Sequence, residues 1–168
     1  MKISTGVICL VSAALLLGVA GCSDEVNPRV TSRLNQAAAL TGDLPSNPLQ
    51  GKVITSWVNR QDGTMSTLFG NDVAVQYART NAEKMYPAGS VLSVVTWGQQ
   101  EDPRWVGAKI PQKTRSVEIV TVTAPGAYSY QRYEGSPLKK VESGGFDGLD
   151  AGVKRGAYLL TQRAAVMP

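Results

Sequence analysis

Residues 90–98, "SVLSVVTWG", and residues 115–123, "RSVEIVTVT", carry the strongest structural signal in the chain. Both runs are rich in β-branched residues, which favour the extended backbone of a strand. We therefore predict two strands that are neighbours in one sheet. A turn at Pro125-Gly126 then leads into "AYSYQRYEG" (residues 127–135), which predicts a hairpin with the second strand.

The chain before residue 90 adds two more strands and a helix. Alternating residues in "GKVITSWVNR" (51–60) predict a strand with two fairly apolar faces, and "TMSTLFGN" (64–71) predicts another that ends at Gly70. Asn71 or Asp72 can cap a helix that continues through about Met85, because apolar residues recur there at helical spacing.

The C-terminal segment returns to helical spacing over residues 149–166, after a glycine-rich run, "ESGGFDG" (142–148), that predicts a flexible connector. Gly148, Gly152 and Gly156 lie four residues apart, which predicts close packing of this helix on the sheet. In a bilayer the same spacing would indicate a helix dimer, but the charged residues of the segment disfavour a span. The predicted fold class is therefore α+β: an antiparallel sheet of four to six strands with flanking helices.

Residues 1–21 are typical of a lipoprotein signal peptide. Lys2 gives a positive start, and the apolar run of residues 7–20 is shorter than the roughly 20 residues that a spanning helix needs. The sequence Val19-Ala20-Gly21-Cys22 resembles the lipobox of bacterial lipoproteins, in which the cysteine thiol is acylated and the chain is cut before it. Cys22 is thus the predicted lipidation site. The alternative is an ordinary secretory leader that ends near a cysteine.

The residue after Cys22 indicates which membrane carries the anchor. In enteric-type sorting an aspartate there would retain a lipoprotein in the inner membrane, and this chain has Ser23. We therefore predict a protein of the cell envelope, held by palmitate-type acyl chains in the outer membrane and facing the periplasm. Residues 22–50 are predicted to be a tether with a short helix, which either spaces the domain from the membrane or docks on it. The domain itself is assigned to residues 51–168.

The composition excludes several classes of function. The chain has no histidine, and its two cysteines are Cys9, in the leader, and Cys22. Zinc sites of the usual kind, Ser-His and Cys-His catalysis and a disulfide in the mature chain are therefore excluded. The net charge of +4 is not clustered in any basic run, so no nucleic-acid partner is predicted. We predict no metal, no cofactor and no catalytic residue.

The order of elements resembles a known family. The helix over 71–85, the "VLSVVTW" strand, the loop "RWVGAKI", the strand "SVEIVTVT" and the hairpin "YSYQRYEG" together resemble the cytochrome P-460 domain and the related beta-type cytochromes c-prime, over about residues 50–135. The resemblance implies a mainly antiparallel sheet in a homodimer. It also implies a C-terminal Cys-x-x-Cys-His that holds haem c, a lysine cross-linked to the porphyrin, and oxidation of hydroxylamine or binding of nitric oxide.

The chain departs from that family where the haem would be held. Its C-terminal helix, "DAGVKRGAYLLTQRA", has neither thiol nor imidazole, and Val94 falls about where the cross-linking lysine belongs. Haem c needs thiolates for its covalent attachment and the iron needs a donor atom. The resemblance therefore implies a haem-less member of the family.

Four residues are candidates for ligand binding. Trp97, Arg104 and Trp105 belong to "WGQQEDPRWVG" (97–107), in which a charged loop between two indoles could line a small pocket. Tyr130 lies in the tyrosine-rich hairpin, on the same strand face as Arg132. The alternative for all four is a structural role in the core, at its rim or at a dimer seam.

Three functions remain open from the sequence. The first is a non-catalytic, lipid-anchored periplasmic domain that binds a small ligand or another envelope component. The second is a degenerate cytochrome that takes up haem without a covalent link and retains redox or nitrogen-oxide chemistry. The third is a purely structural envelope lipoprotein.

Overall fold

The computed structural model describes residues 36–80, 85–142 and 145–165. All of them belong to the unit Ser32–Pro168. The predicted signal peptide, Cys22 and the first part of the tether lie outside the described residues.

Six strands form one antiparallel sheet in the order in which they follow one another along the chain. They are β1 (Lys52–Asn59), β2 (Thr64–Gly70), β3 (Val91–Glu101), β4 (Lys109–Ala124), β5 (Ala127–Glu134) and β6 (Lys139–Lys140). Two α-helices, α1 (Asp72–Thr80) and α2 (Gly145–Leu159), accompany the sheet. The predicted α+β class is confirmed, as are the β3–β4 pair and the β4–β5 hairpin.

Helix α1 begins at a cap that the sequence indicated. The Asn71 Oδ1 atom accepts a hydrogen bond from the backbone N–H of Ala74 at 3.0 Å, so one of the unpaired donors of the first turn is satisfied. The same oxygen accepts from the backbone N–H of Val91 at 3.1 Å, which ties the start of the helix to β3. The helix ends at Thr80 as far as the described residues go, and Met85, in the predicted extension, is not helical.

Helix α2 differs from its prediction at both ends. It begins at Gly145, inside the run predicted to be a flexible connector, and it ends at Leu159 rather than at residue 166. Glycine disfavours a helix by about 1 kcal/mol relative to alanine, so local propensity alone does not predict a helix that begins at Gly145. After the helix, the backbone N–H groups of Ala164 and Ala165 donate to the carbonyls of Ala78 and Ile54. These bonds hold the last residues against α1 and β1 in place of further helical turns.

Apolar side chains are buried on both faces of the sheet. The face that carries α1 and α2 buries a core that includes Leu68, Leu92, Val94, Val120 and Leu159. The opposite face buries Phe69, Val95, Trp97, Val117, Ile119, Tyr133 and Leu138, with Ala38, Leu40 and Leu44 of the N-terminal segment packed against them. Of the two alternatives for that segment, docking on the domain therefore holds for its described part.

Two glycines of α2 allow the helix to lie close to the sheet. A Cβ atom at Gly152 would lie 3.1 Å from the Tyr130 ring, and one at Gly156 would lie 2.6 Å from the Tyr128 ring. The Tyr128 hydroxyl also donates a hydrogen bond to the carbonyl of Val153 at 2.7 Å. For these two glycines the predicted close helix-to-sheet packing is confirmed.

Neither α1 nor α2, the two α-helices of the described residues, combines the length and the hydrophobicity that a membrane span requires.

Candidate functional site

A buried carboxylate lies at the centre of the candidate site. Glu118 is on the helix-covered face of β4, the same face as Val120 and Val122, and it is only 3% exposed. Arg155 of α2 binds this carboxylate with two hydrogen bonds: Nε donates to Oε2 at 2.7 Å and Nη2 donates to Oε1 at 3.1 Å. The Tyr130 hydroxyl of β5 donates to the same Oε2 at 3.0 Å. Three elements of the fold therefore meet at one side chain.

These contacts set the charge states of the cluster. The pKa of the Arg155 guanidinium is raised, first by its hydrogen bond to Glu118, with burial acting in the opposite direction. Burial and the Glu118 charge raise the pKa of Tyr130 to about 12. The phenol therefore stays protonated and remains a donor at neutral pH. The buried carboxylate has the paired cation and the additional hydrogen bond that a charge in a protein interior needs.

A cleft of about 590 Å³ opens beside this cluster, between β5, the end of β6 and α2. Its lining includes Tyr130, Gly152 and three cationic residues, Arg132, Lys140 and Arg155, against one acidic residue, Glu142. Arg132 lies directly opposite Glu118 in the β4–β5 register. Its guanidinium contacts the half-exposed Glu134 carboxylate, with Nε at 2.7 Å from Oε1.

The chemistry of this arrangement is recognition of an anion. Guanidinium groups match the planar, two-pronged geometry of carboxylate and phosphate. The Glu118 carboxylate is already bound to Arg155. Within residues 36–80, 85–142 and 145–165, no group of three or more His, Cys, Asp or Glu side chains is placed to hold a metal ion.

The four residues proposed from the sequence do not form one site. Tyr130 lines the cleft. Trp97 is 7% exposed on the opposite face of the sheet, where its indole Nε1 donates to the carbonyl of Ala38 at 3.0 Å. Trp105 is 69% exposed in the loop after β3, and Arg104 beside it is also exposed. The predicted two-indole pocket is therefore not assembled.

Sequence reasoning missed Glu118 and Arg155. The sequence contained a signal for Glu118. In the alternating pattern of "SVEIVTVT", it falls on the same strand face as Val120 and Val122, which are apolar and buried. An ionised group in such a position needs a partner from another element. The sequence did not indicate which cation pairs with Glu118, because Arg155 is 37 residues away along the chain.

The position at which the resemblance implies a cross-linking lysine is part of the core. Val94 is fully buried, as are Leu68 and Val120 of the same cluster. The described residues contain neither histidine nor cysteine, so they do not fit a covalently held haem c. No family model matches the chain, and no curated protein is similar to it at a significant level.

Proposed function

We propose that this chain is a lipid-anchored binding domain of the cell envelope, without haem and without catalytic activity. In this proposal, acyl chains on Cys22 hold it in the outer membrane, facing the periplasm. The domain then binds a small molecule that carries a carboxylate or phosphate group. The observation that carries the proposal is the cleft itself. Its lining includes Arg132, Lys140 and Arg155, together with Tyr130, whose hydroxyl donates to Glu118.

Arg155 is suited to such a role because it is already oriented. Two of the five N–H donors of its guanidinium bind Glu118. The side chain lines the cleft as well, so a ligand in the cleft would be within reach of the guanidinium. Groups that are fixed before binding lose less conformational entropy when the ligand arrives. Arg132 lies two residues after Tyr130, on the same face of β5, and would supply a second cation.

The architecture supports a relationship to the haem-less cytochrome P-460-like fold that the sequence suggested. A mainly antiparallel sheet is what that resemblance implies, and the six antiparallel strands are consistent with it. The proposal includes no haem chemistry, because the donor atoms for a covalent haem are missing and the core is filled at Val94.

Replacing Arg132 tests the cleft. We expect native mass spectrometry of the full-length protein, purified from membranes, to show a bound small acid in the wild type. In Arg132→Gln the affinity for that acid, measured by titration in the same instrument, should fall about tenfold or more, because hydrogen bonds to charged groups contribute about 1.5–3 kcal/mol. The matched control is Arg60→Gln, since Arg60 lies exposed in the turn after β1, at the opposite edge of the sheet. An acid bound equally well by all three proteins would contradict the assignment of the binding site to this cleft. No bound acid in any of them would contradict ligand binding and favour the structural alternative.

Replacing Cys22 tests the anchor. Cys22→Ser is expected to abolish labelling by a radioactive fatty acid and to leave unprocessed precursor, because the thiol is the acylated group. Cys9→Ser, inside the predicted leader, is the control and should be labelled and processed normally. A Cys22→Ser protein that is processed and released like the wild type would show that the lipobox interpretation is wrong.

A further inference from the structure

The β3–β4 pair extends beyond the rest of the sheet. Strand β2 accompanies β3 only as far as Gly98, which pairs with Thr64. Strand β5 accompanies β4 only from Ser116 onward. Residues 100–110 therefore form a two-stranded ribbon without a neighbouring strand on either edge, and β4 has no neighbouring strand on its outer edge up to Arg115. We call residues 100–115 the arm. Such a ribbon has little core of its own, so its exposed side chains need another explanation than internal packing.

The tip of the arm is apolar and exposed. Trp105 is 69% exposed and Val106 is fully exposed, in a loop that turns back through Gly107 at a positive φ of 79°. An indole and a branched aliphatic side chain side by side in water lose the hydrophobic stabilisation that burial would provide.

Cations outnumber acids along the arm. Arg104, Lys109, Lys113 and Arg115 are all exposed. Of the two acidic residues, Glu101 contacts Lys109. The Asp102 carboxylate is turned into the loop, where it is 7% exposed and accepts the backbone N–H of Arg104 at 2.8 Å. The Arg104 Nε atom lies 3.6 Å from the same carboxylate. The arm therefore carries two more cations than acids, and the excess lies toward its base, at Lys113 and Arg115.

The chain enters the domain at the base of the same arm. The carbonyl of Ala38 accepts the Trp97 indole N–H, and a surface depression of about 370 Å³ is lined by Gln36 and Ala37 together with Gln112 and Lys113. Cys22 precedes Gln36 by 14 residues, and an extended chain of that length reaches at most about 50 Å. A membrane anchor on Cys22 would thus be connected to the domain at the base of the arm.

We propose that the tip of the arm inserts into the interface of the membrane that carries the lipid anchor, and that its partner is an anionic phospholipid surface. Tryptophan is enriched at the level of lipid headgroups, and Lys and Arg are attracted to anionic lipids. This inference rests on the proposed lipid anchor. It adds a second membrane contact, which would orient the domain and direct the cleft at a fixed angle to the bilayer.

The size of the tip favours a lipid surface over a protein partner. A stable protein interface buries about 800 Å² on each side, whereas the exposed apolar side chains of the tip are two, Trp105 and Val106. A bilayer interface needs no complementary pocket, because it takes up single amphipathic side chains.

Tryptophan quenching tests the inference. The full-length, acylated protein is reconstituted in vesicles of phosphatidylethanolamine and phosphatidylglycerol whose acyl chains carry bromine near the headgroups. We expect quenching of up to about a third of the emission, the share of one indole among three. Trp105→Phe should lose this quenching, and Trp57→Phe, the matched control on β1, should retain it. Replacing phosphatidylglycerol by phosphatidylcholine should weaken it.

The possible negative results of this experiment can be distinguished from one another. The mass of the reconstituted protein reports acylation independently. A protein without acyl chains overturns the anchor, and this inference with it. An acylated protein in which Trp105 is not quenched overturns this inference alone. Shielding of Trp105 that depends on protein concentration and not on lipid would identify a second copy as the occupant, and would also overturn the inference.

Discussion

Glu118→Ala is expected to lower the free energy of unfolding by about 2–3 kcal/mol, less than the usual effect of removing one partner from a fully buried ion pair, because the Arg155 side chain that is left behind is 35% exposed. The substitution leaves the Arg155 guanidinium without its carboxylate and removes the acceptor of the Tyr130 hydroxyl. Because small domains are stable by only about 5–15 kcal/mol, a large part of the stability would be lost. Urea unfolding of the full-length chain, followed by circular dichroism, measures the change.

Two further variants separate this effect from ordinary surface charge. Glu134→Ala breaks the half-exposed pair with Arg132 and should change stability by less than about 1 kcal/mol. The double replacement Glu118→Leu with Arg155→Met should recover most of the loss, because a buried ion pair exchanged for apolar groups of similar size is often neutral or stabilising. Equal effects of Glu118→Ala and Glu134→Ala would contradict the description of Glu118 as the centre of the cluster.

Trp97→Ala is expected to lower the free energy of unfolding by about 3–5 kcal/mol, since it removes a large core side chain and leaves a cavity. It also removes the indole donor that holds the carbonyl of Ala38. The N-terminal segment should then separate from the sheet more readily, which limited proteolysis near residue 40 would detect.

Trp105→Ala is the control for that prediction. Its side chain is 69% exposed at the tip of the arm, and surface substitutions usually change stability by no more than about 0.5 kcal/mol. The contrast discriminates between the two roles that the sequence left open for the indoles. A loss of under about 1 kcal/mol for Trp97→Ala would argue against its place in the core.

Of the six described strands, β1 to β5 were predictable because their signals are local, whereas the two-residue β6 and the extension of β3 to Glu101 and of β4 back to Lys109 were not predicted. β-Branched runs, the Pro125-Gly126 turn and the Asn71 cap each act within a few residues, and each has the structure that its pattern indicates. The start of α2 was not predictable in this way. Its glycines favour a loop by themselves, whereas the helix begins at Gly145; contact with the sheet is seen farther along, where Gly152 and Gly156 lie against Tyr130 and Tyr128.

The candidate site depended on distant pairings. Arg155 looked like an ordinary helix charge, and only the crossing of α2 over β4 brings it to Glu118. The two tryptophans of "WGQQEDPRWVG" looked like one cluster because they are eight residues apart. A strand separates them in space, since it carries Trp97 into the core and extends Trp105 to the tip of the arm.

The sequence by itself determined which segments are extended, that the strands pair antiparallel, and that histidine and thiol chemistry are missing from the described domain. These properties depend on neighbouring residues or on composition. Only the tertiary structure decided which charge is buried, which cations surround the cleft and which indole meets solvent. The reason is physical: burial and electrostatic pairing depend on distances between elements, and those distances are fixed only when the helices have packed on the sheet.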